Sequence, residues 1–217
     1  MKPMSVLIVG VGGLGKCMVH EALERSLHVS VLVRNQAKLE AELGEETVAN
    51  LIKITVGDGM DAKVLDEAMP GIDVVLSGRG ADPHVARELA AAIKRHGVKK
   101  LCWPGGSTNV MADDGITPNY KRLLHLGGWV EAAYRTHGAC IKAIRQVGIN
   151  YVIFCPGRMG SAARQSRDVR STMRINRDGG PFVSYEDAAW VMLEAATTDA
   201  YDRQLISAGT PDVTDAG

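Results

Sequence analysis

Residues 6–15 of this chain read VLIVGVGGLG, and this run decides the fold. Its first four residues are apolar and mostly β-branched, which predicts a buried strand. The next segment, residues 16–25, carries apolar side chains at helical spacing and predicts a helix. A second apolar run at 29–33 predicts another strand, so a strand–helix–strand unit closes early in the chain. Glycines placed between the first strand and the helix of such a unit are typical of a nucleotide site.

Each glycine of this turn has a distinct expected role. Gly10 would make the tight turn, Gly12 would let the backbone approach a pyrophosphate, and Gly15 would let the helix pack on the strand. The pyrophosphate would then lie on the unpaired N–H groups at the helix start, where the helix dipole favours negative charge. The alternative is a plain strand-to-helix turn in which the glycines bind nothing.

The alternation of strands and helices continues along the chain. We predict an α/β fold, a single Rossmann-like doubly wound parallel sheet with helices on both faces, forming one NAD(P)-binding domain over 1–217. Substrate-side elements are expected at about 105–180; within them, 109–128 has poor periodicity and is predicted to be a loop, the candidate substrate lid. The further predicted strands are 51–56, 73–77, 98–103, 150–155 and 204–208, and the further helices are 62–68, 84–96, 130–147 and 185–197.

The end of the second strand indicates which dinucleotide binds. An acidic residue there would accept hydrogen bonds from the adenosine ribose of NAD, but this chain has Arg34, with Lys38 one helical turn later. A guanidinium can hold a phosphate through two hydrogen bonds, and Lys38 would add a second positive charge. The sequence therefore favours NADP(H) as the cofactor; the alternative is that both are solvated surface charges.

Composition limits the other partners. The 217 residues carry 25 basic and 25 acidic side chains, so the formal net charge is zero and no basic surplus is present for general nucleic-acid binding. No apolar run approaches the roughly 18 residues of a membrane span, and the early first strand leaves no room for a signal peptide. The four cysteines and six histidines lack CxxC and HxxxH pairs, which predicts free thiols and no metal site. We expect a cytoplasmic protein with a small-molecule substrate; the oligomeric state is left open.

Ligands of doubly wound sheets lie beyond the carboxyl ends of the strands. Apart from Arg34 and Lys38, the candidate cofactor-binding residues are therefore those that follow the predicted strands: Gly10, Gly12, Gly13, Leu14, Gly15, Asp58, Gly59, Gly78, Arg79, Pro104, Gly105, Gly106 and Pro156.

Several segments also resemble one protein family. Residues 6–39, Gly57-Asp58, 148–157, 183–189 and 197–202 are similar to the atypical short-chain dehydrogenase/reductase group, in particular its flavin reductase (biliverdin IXβ reductase)-like and NmrA-like families. The resemblance covers nearly the whole chain. It implies a Rossmann fold with NADPH along the first half and a substrate over the nicotinamide, beside strands five and six.

The chain departs from that group at the catalytic positions. The Tyr-xxx-Lys pair of ordinary short-chain dehydrogenases is absent, since Tyr134 is followed four residues later by Gly138. Where the flavin-reductase type has a serine, this chain has Gly106, with Ser107 adjacent. The resemblance implies that His137 is a substrate-side histidine.

Three residues are therefore candidates for the chemistry. Ser107 and His137 are the candidate catalytic residues, and Arg158, which replaces a second histidine of the family, is the candidate substrate-binding residue. Each has an ordinary alternative: a serine that bonds backbone in a turn, a surface histidine on a helix, and an arginine in a salt bridge. The arginines at 158, 164, 167, 170, 174 and 177 could similarly bind an anionic planar substrate or form a solvated loop.

Two functions fit these observations. The first is an NADPH-dependent oxidoreductase that transfers hydride to a small conjugated acceptor of the flavin, quinone or enone/carbonyl type. The second is a non-catalytic NADP-sensing regulatory protein of the NmrA-like kind.

Overall fold

The fold is built around a mostly parallel sheet. A computed structural model describes residues 3–161 and 168–211. The strands of this part of the chain are β1 (Ser5–Val9), β2 (His28–Val33), β3 (Lys53–Val56), β4 (Val74–Ser77), β5 (Lys100–Pro104), β6 (Tyr151–Phe154), β7 (Arg158–Gly160), β8 (Arg174–Ile175), β9 (Phe182–Ser184) and β10 (Leu205–Ser207).

Eight of these strands form the central sheet, in the order β3-β2-β1-β4-β5-β6-β10-β8. The central strand β1 pairs in parallel with both β2 and β4, so that Ile8 lies between Val31 and Leu76. The connections run outward in both directions from β1, which confirms the doubly wound Rossmann-like prediction. Two details differ: the edge strand β8 runs antiparallel to β10, and β7 and β9 pair in a separate two-stranded sheet. Such an antiparallel edge is common on otherwise parallel sheets.

Helices cover both faces of the sheet. They are α1 (Gly13–Glu24), α2 (Gln36–Leu43), α3 (Glu45–Ala49), α4 (Ala62–Ala68), α5 (Pro83–His96), α6 (Asn119–Leu123), α7 (Trp129–Val147), α8 (Val169–Thr172) and α9 (Tyr185–Thr197). Because successive strand side chains point to opposite faces, Val6 and Ile8 join the core beneath α1 and α9, whereas Leu7 and Val9 join the core beneath α5 and α7.

Four of the described helices, α2, α3, α6 and α8, were not predicted. α2 and α3 follow β2, and α2 is capped by Asn35, whose side chain accepts a hydrogen bond from the Lys38 N–H at 2.9 Å. Its buried residues Leu39 and Leu43 are four positions apart, on one helical face. Both signals are local and were available in the sequence.

The predicted loop at 109–128 is also partly wrong. This segment contains α6 and, directly after it, a 3₁₀ turn at Leu124–Leu126, while another 3₁₀ turn, Ser107–Asn109, precedes it. Long-range hydrogen bonds position it: the buried Asn119 side chain donates to the Ser107 carbonyl at 3.0 Å, and the Met111 N–H donates to the Asn176 carbonyl at 3.2 Å. In the described ranges, no helix is long and apolar enough to cross a bilayer.

The turn after β1 is packed backbone against backbone. Gly10 has φ +85°, and its carbonyl oxygen would lie 2.1 Å from a Cβ at Gly15 and 2.0 Å from a Cβ at Gly78. Side chains at Gly15 or Gly78 would therefore collide with the main chain, which has little freedom to move. By contrast, a Cβ at Gly12 would meet no atom within 4 Å.

The Gly15→Ala substitution should therefore destabilise the protein. We expect its free energy of unfolding to fall by roughly 3 kcal/mol or more, at the upper end of overpacking effects. Gly12→Ala is the matched control and should lose no more than about 1 kcal/mol, the cost of alanine at a helix N-cap. Urea unfolding followed by circular dichroism measures both, and equal stabilities for the two variants would contradict the packing argument.

Candidate active site

A first pocket of about 580 Å³ lies beyond the carboxyl ends of β1, β2 and β4. This is the switch point at which the order of the strands reverses, the expected ligand position in an open α/β sheet. Of the predicted cofactor residues, those that line the first pocket are Gly10, Gly12, Arg34, Lys38, Asp58, Gly59, Gly78 and Arg79.

The glycine turn presents an anion-binding surface to the first pocket. α1 begins after Gly12, no side chain caps its first N–H groups, and its first turn contains no acidic residue. A Cβ at Gly12 would project into open space, so the bare backbone leaves room for a ligand. Gly13 and Gly15 line neither pocket of the site; Gly15 packs on Gly10, and Gly13 lies against the Tyr185 ring. The uncapped helix start is electrostatically suited to a phosphate group.

Arg34 is the cation of the first pocket with the fewest protein contacts. It is exposed, and its side chain forms no ion pair or hydrogen bond with any residue that the structure describes. The Lys38 ammonium lies 3.7 Å from Glu42 but is 71% exposed, so this pairing is weak. Arg79 lies 3.6 Å from Asp82. Positive charge thus borders the first pocket beyond the end of β2.

A second pocket of about 930 Å³ adjoins the first, since Gly78 lines both. Its floor comes from the segments after β5 and β6, and α7 and the turn after α6 supply further walls. The predicted residues that line it are Leu14, Pro104, Gly105, Gly106, Ser107, His137, Pro156 and Arg158. The fold therefore brings both candidate catalytic residues and the candidate substrate residue to one cavity.

His137 is a largely buried, neutral histidine in the middle of α7. Its Nδ1 is buried without a hydrogen-bond partner among the described residues. Burial lowers the pKa of His137 below its ordinary value of 6.5, because desolvation penalises the imidazolium. It lies inside the helix predicted at 130–147.

The position of His137 explains the glycine at 106. A Cβ at Gly106 would lie 2.7 Å from His137 Cδ2 and 2.9 Å from Nε2. The imidazole thus fills the space that a side chain at 106 would need. A serine at this position would require the His137 ring to move, so the departure at 106 and the placement of His137 are physically linked.

Ser107 and Arg158 are held by their backbones. The Ser107 N–H donates to the Pro156 carbonyl at 2.8 Å, and the half-buried side chain borders the second pocket. The Arg158 N–H donates to the Pro181 carbonyl at 2.8 Å, and its guanidinium lies 5.6 Å from the centre of the Phe182 ring. Both backbones are therefore fixed, and the Arg158 side chain is exposed at the pocket.

The other arginines of this region contact protein. Arg170 pairs with Glu194 and lies over the Trp190 ring, Arg174 donates to the Ser171 carbonyl, and Arg177 donates to the Asp113 carbonyl. None of these three lines the second pocket. Arg164 and Arg167 lie outside the described residues.

Sequence reasoning missed the side chains that residues 122–129 contribute to the second pocket. Leu123, Leu126 and Trp129 line the second pocket, as does Arg122, which pairs with Asp178 across the cavity wall. Burial raises the pKa of the Asp178 carboxyl, although the Arg122 charge opposes this shift. Because these contacts join residues that are far apart in the sequence, no local sequence pattern predicts them.

None of the four cysteines forms a disulfide in the structure. Cys102, Cys140 and Cys155 are buried and Cys17 is half-buried, all as free thiols. Burial raises the pKa of Cys102 and of Cys155 to about 12, so both are protonated and unreactive. Over residues 3–161 and 168–211, no cluster of three or more potential metal ligands occurs.

Comparison with known proteins identifies the family. The family model described as NAD(P)H-binding matches residues 10–199. The chain belongs to this NAD(P)H-binding family. The match confirms the family resemblance and assigns a nicotinamide cofactor to the fold. No curated protein gives a significant match to the sequence.

Solved structures share the fold at low sequence identity. The anaerobilin reductase ChuY from Escherichia coli O157:H7 is 19% identical, with 98% of this chain and 100% of that chain covered and a TM-score of 0.74. A short-chain dehydrogenase/reductase from Veillonella parvula DSM 2008, solved in complex with NADP, is 14% identical, with 97% and 96% covered and a TM-score of 0.77. A candidate NADH-flavin reductase from Streptococcus pneumoniae TIGR4 is 16% identical, with 94% and 98% covered and a TM-score of 0.71.

The Gly12→Val substitution tests the role of the glycine turn in this NAD(P)H-binding protein. The branched side chain would project into the open space of the first pocket, so we expect binding of both NADPH and NADH to be abolished while the fold survives. Titration of the folded variant with each cofactor measures this. Unchanged affinity would show that the glycines serve the turn alone.

Proposed function

We propose that this protein is an NADPH-dependent reductase that transfers hydride to a small conjugated acceptor of the flavin, quinone or enone/carbonyl type. The observation that carries the proposal is the pair of adjoining pockets. The first offers an uncapped helix start and the exposed Arg34, whereas the second brings Ser107 and His137 to the carboxyl ends of β5 and β6. Gly78, shared by both, marks where an extended dinucleotide would pass from one to the other.

The residues of the first pocket fit a phosphorylated dinucleotide. The N–H groups at the start of α1 would hold the pyrophosphate, and Gly12 would leave room for it. Arg34 would bind a phosphate on the adenosine ribose through two hydrogen bonds, with Lys38 adding charge. Asp58, which borders this pocket and accepts a hydrogen bond from the Met60 N–H at 3.0 Å, would bind the adenine side.

The second pocket would hold the nicotinamide together with the acceptor. When bound, NADPH supplies the hydride, and the protein's part is to orient the ring and exclude water. Pro104, Gly105, Gly106 and Pro156 would form the backbone floor beneath the nicotinamide. Ser107 and His137 would position the acceptor, and Arg158 would hold an anionic group on it.

The neutral state of His137 bears on the source of the proton. A histidine whose pKa is lowered by burial carries no excess proton at neutral pH, so it is a poor general acid there. It would instead form a hydrogen bond to the acceptor, and the proton would come from water or from Ser107. Without a Tyr-xxx-Lys pair, acceptors whose reduced anion is delocalised and weakly basic suit the site better than simple ketones, whose reduction gives a strongly basic alkoxide that needs a positioned proton donor.

One observation favours a second candidate function. Gly106 replaces the serine of the flavin-reductase type, which suits an NADP-sensing protein of the NmrA-like kind that binds the cofactor without turnover. Incubating the protein with NADPH and a panel of flavins, quinones and enones separates the two. Oxidation of NADPH supports the reductase, whereas tight binding without oxidation supports the sensor.

The Arg34→Ala substitution tests the choice of NADP over NAD. Loss of one charged hydrogen-bonding partner costs about 1.5–3 kcal/mol, or roughly 10- to 150-fold in affinity. We expect NADPH binding to weaken by that factor and NADH binding to stay nearly unchanged, as measured by titration of both cofactors. Equal losses would contradict the phosphate assignment. Arg87→Ala, an exposed arginine on α5 outside both pockets, is the control.

Substitutions of Ser107 and His137 test the acceptor site. Ser107→Ala and His137→Gln should mainly raise KM for a proven acceptor; loss of a proton donor would instead lower kcat by roughly 10²–10⁴-fold. Because His137 is neutral above its lowered pKa, His137→Gln should keep the wild-type pH profile between about pH 6.5 and 8. If kcat of the wild type falls with rising pH and kcat of His137→Gln does not, His137 would instead be the proton donor. Unchanged kcat and KM in both variants would remove both residues from the site.

A further inference from the structure

One wall of the second pocket is apolar and exposed. Leu123, Leu126 and Trp129 all line it, and Leu126 and Trp129 are 51% and 58% exposed. Neither of these two belongs to the cores beneath the sheet. Single exposed apolar side chains are ordinary on protein surfaces, but an exposed apolar group on a cavity wall indicates a binding surface.

The Trp129 ring is held in one orientation. Its indole N–H donates to the Leu126 carbonyl at 3.0 Å, so the polar atom of the side chain is satisfied within the turn. Gly127, with φ +123°, brings its backbone against the same ring: a Cβ there would lie 3.4 Å from Trp129 Cδ1. An aromatic ring fixed by its own turn can bind a planar ligand without first being ordered.

We propose that Trp129 is a specificity-determining residue on which the conjugated ring system of the acceptor stacks at the second pocket. This inference rests on the proposed function. We assign the exposed wall to the acceptor because the same cavity contains Ser107 and His137. A fused-ring acceptor offers a large π surface to the indole. A single-ring quinone or an open-chain enone offers less, so Trp129 would favour fused rings over them.

Binding of riboflavin tests this inference without turnover. Riboflavin has fused rings and no phosphate, so charge attraction to Arg122 or Arg158 contributes little. With saturating NADP⁺ present, equilibrium dialysis with free riboflavin measured by its absorbance reports its binding, and this readout does not depend on the indole. Trp129→Leu should weaken this binding roughly tenfold or more, as when an aromatic stacking residue is removed. Trp129→Phe, which keeps an aromatic ring but loses the N–H bond to Leu126, should retain most of the affinity.

Ile52→Ala is the matched control, since Ile52 is 63% exposed and lines neither pocket. It should bind riboflavin as the wild type does. Circular dichroism and NADPH titration of Trp129→Leu check that the fold and the first pocket are intact, so a loss of riboflavin binding can be assigned to the indole.

Three results would overturn the inference. They are the absence of riboflavin binding to the wild type, equal affinities for wild type and Trp129→Leu, and equal losses in the Leu and Phe variants. Equal affinities together with a changed mass in size-exclusion chromatography would assign the wall to contact between copies of this chain. Failure of the proposed function is a separate result: the wild type would then oxidise NADPH with no acceptor of the panel, whatever its affinity for riboflavin.

Discussion

The close packing around the Gly10 carbonyl group positions both pockets of this molecule. Three segments meet there, the end of β1, the first turn of α1 and the end of β4, and two of them approach so closely that only glycine fits, at positions 15 and 78. This contact seats the start of α1 over the switch point of the sheet. Gly10 and Gly12, just before that helix start, line the first pocket, and Gly78 continues into the second.

A second close approach shapes the acceptor side. The His137 imidazole occupies the space beside Gly106, so the end of β5 and the middle of α7 form one surface. The same burial that places the ring also keeps it neutral. Packing and protonation therefore have one cause here, and the neutral imidazole is suited to hydrogen bonding with a ligand more than to acid catalysis.

Charge is distributed unequally between the two pockets. In the first, Arg34 is left for a ligand, and the lysine beside it is only weakly paired. In the second, the ion pair between Arg122 and Asp178 ties the segment after β5 to the segment before β9, while Leu126 and Trp129 stay exposed. A phosphorylated cofactor in the first pocket and a largely apolar, planar acceptor in the second would match this division.

The sequence by itself determined the elements whose signals are local. An apolar run ending in glycine predicts β1 and its turn, and the end of the second predicted strand places Arg34 at the ligand edge of the sheet. The signals for α2, at Asn35, Leu39 and Leu43, are equally local. Only the tertiary structure decided the second pocket. Residues 109–128, which border this pocket, have weak periodicity because distant partners hold them, with Asn119 bonded to the Ser107 carbonyl and Met111 to Asn176. The antiparallel β8 is two residues long, too short for any pattern, and forms because β10 offers it an edge.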